Sequence, residues 1–451
     1  MSEPLDPKPF EQLAEQALEA ARRAGAEAAD VIVTGGESVE IAVREGALEH
    51  LERADGASLG LRVLIGRRQA VVSLGDPARA DLMEAAERAV AMAKAAPEDP
   101  WIGLADPDML ARDWPDLDLA DAFDIDEERL QEMALACEAA ALAVKGVTKS
   151  AGAGASAGRS LVVLAASNGF LGSYVRTSYG VSAAVIAGEG TQMQRDWEYD
   201  SRLHLADLKA PEEIGRIAGE RAVRRLNPRK PKSLAGAPVI FEARVAGSLA
   251  GHLAAAVNGR SMARGASFLK DRMGEAVMAE GVDVIDDPHM PRGLASKPFD
   301  AEGLEPQRLK VVDNGVLKHW ILDLASARQL NLASNGHASR GTGGPPAPSS
   351  TNLHIAAGRR TPEELVRSVS TGLLVTELIG MGVNTVTGDY SRGASGFWIE
   401  NGEITHPVSE VTIAGSLADM FRRLTPADDL EFRSSHSAPT CLVEGMTIAG
   451  Q

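Results

Sequence analysis

Cysteine is scarce in this chain: Cys137 and Cys441 are the only two among 451 residues. Their wide separation implies no disulfide framework, and two free thiols suit a reducing compartment. Basic charge is in deficit as well. Lys and Arg number 46 against 63 Asp and Glu, a net charge of −17. That balance argues against a chain that itself grips a nucleic-acid backbone, and against an anionic membrane surface as partner. Long apolar runs are missing: no stretch approaches the roughly 20 residues of a membrane span. The first ten residues hold no apolar core that could direct export, so the cytoplasm is the expected location. No repeat of solenoid period occurs. The nine histidines include no local His-x-x-x-His pair, although a site assembled from distant ones stays open.

What is present describes a globular protein, 44% apolar and 24% charged. The length suits roughly three domains. The spacing predicts an α+β fold: an N-terminal meander with flanking helices, a β-rich middle, and a large C-terminal β-rich domain around a small-residue helix. The expected divisions are 1–96, 97–234 and 235–451. Helical periodicity marks 9–25, ended by Gly25, and also 77–95, 126–144 and 211–226. Strand-like runs occupy 30–34, 39–44, 58–65 and 69–73, with Gly66-Arg67-Arg68 as a hairpin turn. Further strands are expected at 160–166 and 172–187. Asn314-Gly315, Asn335-Gly336 and Asn401-Gly402 punctuate the last domain, and Asn401-Gly402 is the strongest hairpin signal.

The chain is organised around residues 238–260. Val239–Phe241 reads as a strand, and a helix rich in Ala and Gly follows over 244–258. Val245, Leu249, Leu253 and Val257 recur at helical spacing. Gly259 is expected to supply a left-handed C-terminal cap. A helix with so few bulky side chains lets other backbone come close, so burial is expected.

This stretch resembles the TldD/TldE (PmbA) family of bacterial two-subunit proteases. In the TldD type the helix reads Gly-x-Leu-x-His-Glu-x-x-x-His, and its two His and its Glu serve a catalytic zinc. Aligning Gly247-Ser248-Leu249 with that pattern places Gly251 and Ala256 at the His positions and His252 at the Glu position. Gly and Ala offer a metal no side-chain lone pair. The resemblance continues through Thr342-Gly343-Gly344, Gly388-Asp389-Tyr390-Ser391-Arg392-Gly393, Glu400-Asn401-Gly402 and the terminus Gly445–Gly450. It is strong over 235–450 and looser over 28–75. Metal-bearing relatives take a third ligand from a Cys near the C-terminus. The matching stretch here, 425–431, has no Cys or His, and Cys441 reads as a buried small hydrophobe.

The resemblance implies a non-catalytic TldE/PmbA-type subunit of a cytoplasmic heteromeric zinc metalloprotease. A TldD-type partner would supply the zinc, with no cofactor in this chain. Unfolded or leader-bearing peptides would be the substrate, and the family is also linked to modulation of DNA gyrase. A stand-alone peptide-binding or regulatory protein, as a homo-oligomer, remains the alternative. Tyr390, Ser391 and Arg392, between glycines, are the candidate peptide contacts, through strand addition in a loop over 390–396. A turn that merely packs the domain explains them equally well.

Three other patterns take bland readings. Asp116, Asp118, Asp121 and Asp124 lack the turn Gly and closing Glu of a calcium loop, so a solvated linker is expected. Ser156 in Gly154–Gly158 matches a nucleophile elbow, but strand rather than helix follows, so a Gly/Ala hairpin is expected. His252 is expected to be a hydrogen-bonded packing residue.

Overall fold

Helix α1 (Lys8–Ala24) stops where the sequence predicts. Gly25 takes the left-handed conformation at φ 98°, and its N–H returns to the Arg22 carbonyl at 3.1 Å. These features come from a computed structural model that describes residues 5–122 and 126–450. Beyond α1, strands β1 (Ala28–Arg44), β2 (Ala47–Ile65) and β3 (Arg68–Leu74) form the expected meander, followed by α2 (Leu82–Ala95). Asp81 caps α2 by accepting from the Met83 and Glu84 amides. The two runs expected at 30–34 and 39–44 are one strand. Backbone pairing to both neighbours carries it through Gly35-Gly36.

One sheet runs across the connector that follows α2. After α3 (Glu127–Leu142) come β4 (Val147–Ala166), β5 (Leu171–Ala187), β6 (Gln194–Arg202) and α4 (Pro211–Arg224). β4 pairs with β1, giving one antiparallel sheet ordered β3-β2-β1-β4-β5-β6. Residues of one parity face the same side along its whole length. Val31, Val33, Leu161 and Val163 bury against α1 and α2, and Ile41, Val43, Ala155 and Ala157 against α3 and α4. Gly154–Gly158 is therefore the middle of strand β4, paired on both sides, and not a hairpin. Its small residues allow close packing beneath α3 and α4.

The connector is not simply a solvated linker. Leu117 and Leu119 are buried, and Trp114 meets Phe299 with ring centroids 4.9 Å apart. Asp118 pairs with Arg292 at 2.6 Å, and Asp121 accepts from the Leu205 amide at 2.9 Å. Asp116 accepts from the Asp118 amide. Asp124 lies outside the described residues.

The C-terminal domain closes on itself. Strands Glu403–Ser416, Asp389–Glu400, Thr371–Ile379, β7 (Leu234–Phe241) and Cys441–Ala449 lie in that order. Cys441–Ala449 then pairs back onto Glu403–Ser416, completing a barrel. Asn401 and Gly402, at φ 52° and 79°, make the expected tight turn. Helix α5 (Ala243–Ala256) leaves the end of β7 and packs between Thr371–Ile379 and the short strands Leu353–Ile355 and His436–Ser437. Its Ala246, Leu249, Ala250 and Leu253 share one apolar core with the barrel interior. Gly259 does not cap α5. It opens α6 (Gly259–Ala263) behind the Asn258 cap. Glycine is needed there for close approach, since a Cβ would come 2.8 Å from the Ile321 carbonyl.

The contact between α3 and α4 gives a test of this packing. Gly215 of α4 sits against the Cys137 carbonyl, with no room for a Cβ. Gly215→Ala should destabilise the protein by about 1–3 kcal/mol, seen as a lower thermal midpoint. An unchanged midpoint would show that the two helices stand further apart.

Candidate functional site

Two glycines one turn apart define the face of α5 that matters. A Cβ at Gly247 would lie 2.6 Å from the His436 carbonyl, and one at Gly251 would lie 3.8 Å from His436 Nδ1. The imidazole of His436 thus stands beside Gly251, held by Ser350 Oγ at 2.9 Å from its Nε2. Ala256 is fully buried in the core, and its carbonyl accepts from Ser267 Oγ at 2.6 Å.

His252 turns elsewhere. Its ring meets Tyr390 edge-on, 5.9 Å between centroids. The hydrogen bond expected for it is missing at Nε2, which is buried without a partner. Burial first, and the nearby Arg392 charge second, pull its pKa down to about 4.

Of Gly251, His252 and Ala256, only His252 has a side-chain donor atom. Among the described residues no three His, Cys, Asp or Glu group so as to hold a metal ion. A four-coordinate zinc does not fit this donor set. The stretch 425–431 is committed to structure. Asp429 accepts from the Thr440 amide and hydroxyl at 2.8 and 2.7 Å, and Glu431 pairs with Lys209 at 2.7 Å. Cys441 is fully buried with its thiol on the Pro439 carbonyl, and burial raises its pKa. Ser156 lies mid-strand in β4, so it sits on no strand-to-helix elbow.

Tyr390, Ser391 and Arg392 do not form a loop. They open the barrel strand Asp389–Glu400 and pair with Ile413–Gly415 on one side. On the other side Ser391 donates to Gly382 at 2.7 Å, and Tyr390 bridges Val383. No main-chain edge remains for strand addition there, because both are used. Alternation places Ser391 outward and exposed, while Tyr390 and Arg392 share the core face with His252.

A second feature escaped the sequence reading. Edge strand β6 presents buried Asp196, Glu198 and Asp200 on one face and Trp197 and Tyr199 on the other. Asp196 holds Arg244 of α5 at 2.9 Å and Arg225 at 3.2 Å. Glu198 holds Arg221 and Arg433. Arg244 lies over Trp197 at 5.0 Å and Arg433 over Tyr199 at 5.1 Å. The carboxylates of Asp196 and Glu198 also accept from the Trp197 and Tyr199 amides, so they blunt this edge against further pairing. The result is a cleft between the two domains, lined by Trp197, Tyr199, Arg244, Gly247, Arg433 and His436. Strict alternation in Asp-Trp-Glu-Tyr-Asp was the available signal.

Comparison with known proteins bears on this helix and barrel. Residues 235–450 match the PmbA/TldA metallopeptidase C-terminal domain, 120–226 the central domain, and 29–93 domain 1. The chain belongs to the PmbA/TldD metallopeptidase family. It is 39% identical over 436 residues to the metalloprotease PmbA homolog of Haemophilus influenzae, covering 96% of this chain and 94% of that one. Metalloprotease PmbA of Escherichia coli O157:H7 is 38% identical over 446 residues, covering 98% and 97%. A solved structure from Bacteroides thetaiotaomicron, named as a candidate modulator of DNA gyrase, superposes with a TM-score of 0.90 at 27% identity, covering 98% and 99%. TldE from Thermococcus kodakarensis shares the fold, with a TM-score of 0.84 at 21% identity over 97% and 100%. Among the described residues of this chain, no helix is long and apolar enough to cross a membrane.

The depressed pKa of His252 has a consequence for stability. The unfolded chain binds this proton near pH 6.5, the native protein only near pH 4. The neutral ring's contribution is therefore complete above pH 6.5 and is lost as pH falls through about 4. His252→Gln should reduce the acid loss of stability by on the order of 1–2 kcal/mol, allowing for screening at a partly exposed ring. Urea unfolding of both proteins at neutral pH and near pH 4 reads this directly. Equal losses in the two would mean that His252 is not held neutral.

Proposed function

We propose that this chain is the non-catalytic, TldE/PmbA-type subunit of a cytoplasmic two-subunit zinc metalloprotease. A TldD-type chain is its partner and contributes the zinc, the two His, the Glu and the Cys. The substrate class is unfolded or leader-bearing peptide. The observation that carries this reading is α5 itself. Gly251 and Ala256 offer no donor, and the space beside Gly251 is occupied by a neighbouring imidazole that Ser350 already holds. The relatives named metalloprotease PmbA support the metallopeptidase context.

In this arrangement the zinc chemistry, polarising the scissile carbonyl and activating water, belongs to the partner. The residues of this chain shape the chamber. Asp196 with Arg244, and Arg225 with Glu377, tie the helix-backed sheet to the barrel domain through ion pairs, and a cleft so held admits extended chain more readily than folded domains.

The test is a peptidase assay with an unfolded casein substrate. The purified chain alone should leave it intact. A mixture with the TldD-type chain of the same genome should cut it, and a chelator should abolish the cut. Chelator-sensitive cutting by this chain alone would overturn the reading, and so would failure of the two chains to associate.

A further inference from the structure

Three polar groups converge behind the barrel strand Asp389–Glu400 with nothing to bind. The Tyr390 hydroxyl, the His252 Nε2 and the Arg392 Nε are all buried without a hydrogen-bond partner. The Arg392 side chain makes no hydrogen bond or ion pair with any described residue. It also sits on the core side of its strand. Tyr390 and Ala394 flank it on that face, and Ile413, fully buried, lies directly across the pairing.

This is unlike the protein's treatment of other inward arginines. Arg62 and Arg340 end on Asp30, Arg225 and Arg244 on Asp196, and Arg433 on Glu198. A buried donor left unpaired costs about 1–3 kcal/mol. Three such groups in one place, drawn from two elements, are a costly arrangement that a ligand would relieve.

We propose that Arg392, Tyr390 and His252 form a binding site for a carboxylate carried on a polypeptide. The donor set selects the ligand. A guanidinium offers a planar fork that matches two carboxylate oxygens. The tyrosine hydroxyl donates one further bond, and the imidazole can donate from whichever nitrogen holds its proton. One fixed positive charge matches one negative charge, as in a peptide C-terminus or an Asp or Glu side chain. The partial exposure of His252 and Arg392 gives access from solvent. The neighbouring chain turn displays Ile379 and Met381, 57% and 92% exposed, as apolar surface for the residues that precede the carboxylate. Burial is the larger influence on both other members, lowering the His252 pKa and raising that of Tyr390; the Arg392 charge adds to the first shift and opposes the second. The proposal rests on the reading of this chain as a peptide-holding subunit, and it specifies which group of the peptide is held.

Isothermal titration calorimetry on the full chain at neutral pH tests it with three probes. These are an acetylated tetra-alanine with a free C-terminus, the same peptide amidated, and an amidated peptide with one internal Glu. Either carboxylate probe should bind about 10–100-fold more tightly than the amidated tetra-alanine, the range expected for a charged hydrogen bond. Which one binds tells a chain terminus from a side chain. Arg392→Gln should abolish the advantage. Tyr390→Phe keeps the ring in the core, and should reduce the advantage while leaving the thermal midpoint unchanged or higher. Equal binding of all three probes, or binding by none, overturns the carboxylate site. The subunit reading is decided separately, by the peptidase assay with the partner chain.

Discussion

The contact between α5 and the chain at His436 is made backbone to side-chain-free backbone, and much of the C-terminal domain depends on it. Gly247 allows the short strand His436–Ser437 to lie directly on the helix. A larger residue at Gly247 would push that strand away and open the core shared by α5 and the barrel. The same economy of side chains leaves Gly251 and Ala256 without a side-chain donor atom.

A second constraint holds the helix-backed sheet to the barrel domain. Asp196 is 2% exposed and receives two arginines, one from α4's C-terminal end and one from α5. Pairs this deeply buried add little net stability, but removing one partner leaves an uncompensated charge. Their effect here is geometric: they fix the relation of β6 to α5, and so the width of the cleft between Trp197 and His436. The aromatic rings stack 5.6 Å apart and carry the guanidinium planes that complete the wall.

The parts legible in the sequence were those governed by local rules. Gly25 and Asn401-Gly402 ended or turned elements as their backbone conformations require. The α+β class and the small-residue helix followed from periodicity. The first half of β4 was not legible, because a run of Gly, Ala and Ser has no strand signal of its own. It becomes strand when β1 and β5 pair with it on both sides. A long connector also separates β1 from β4 along the chain. The pairing across that connector is a non-local event.

At the site, the sequence by itself determined which atoms exist. Gly251 and Ala256 have no side-chain donor for a metal in any fold. Only the tertiary structure decided what stands next to them. Periodicity could place Tyr390 and Arg392 on one face of a strand, but it could not say that this face looks at His252. Nor could it say that the main chain at Ser391 is already paired. Those facts depend on how the barrel closes, and closure brings together residues that no local spacing relates.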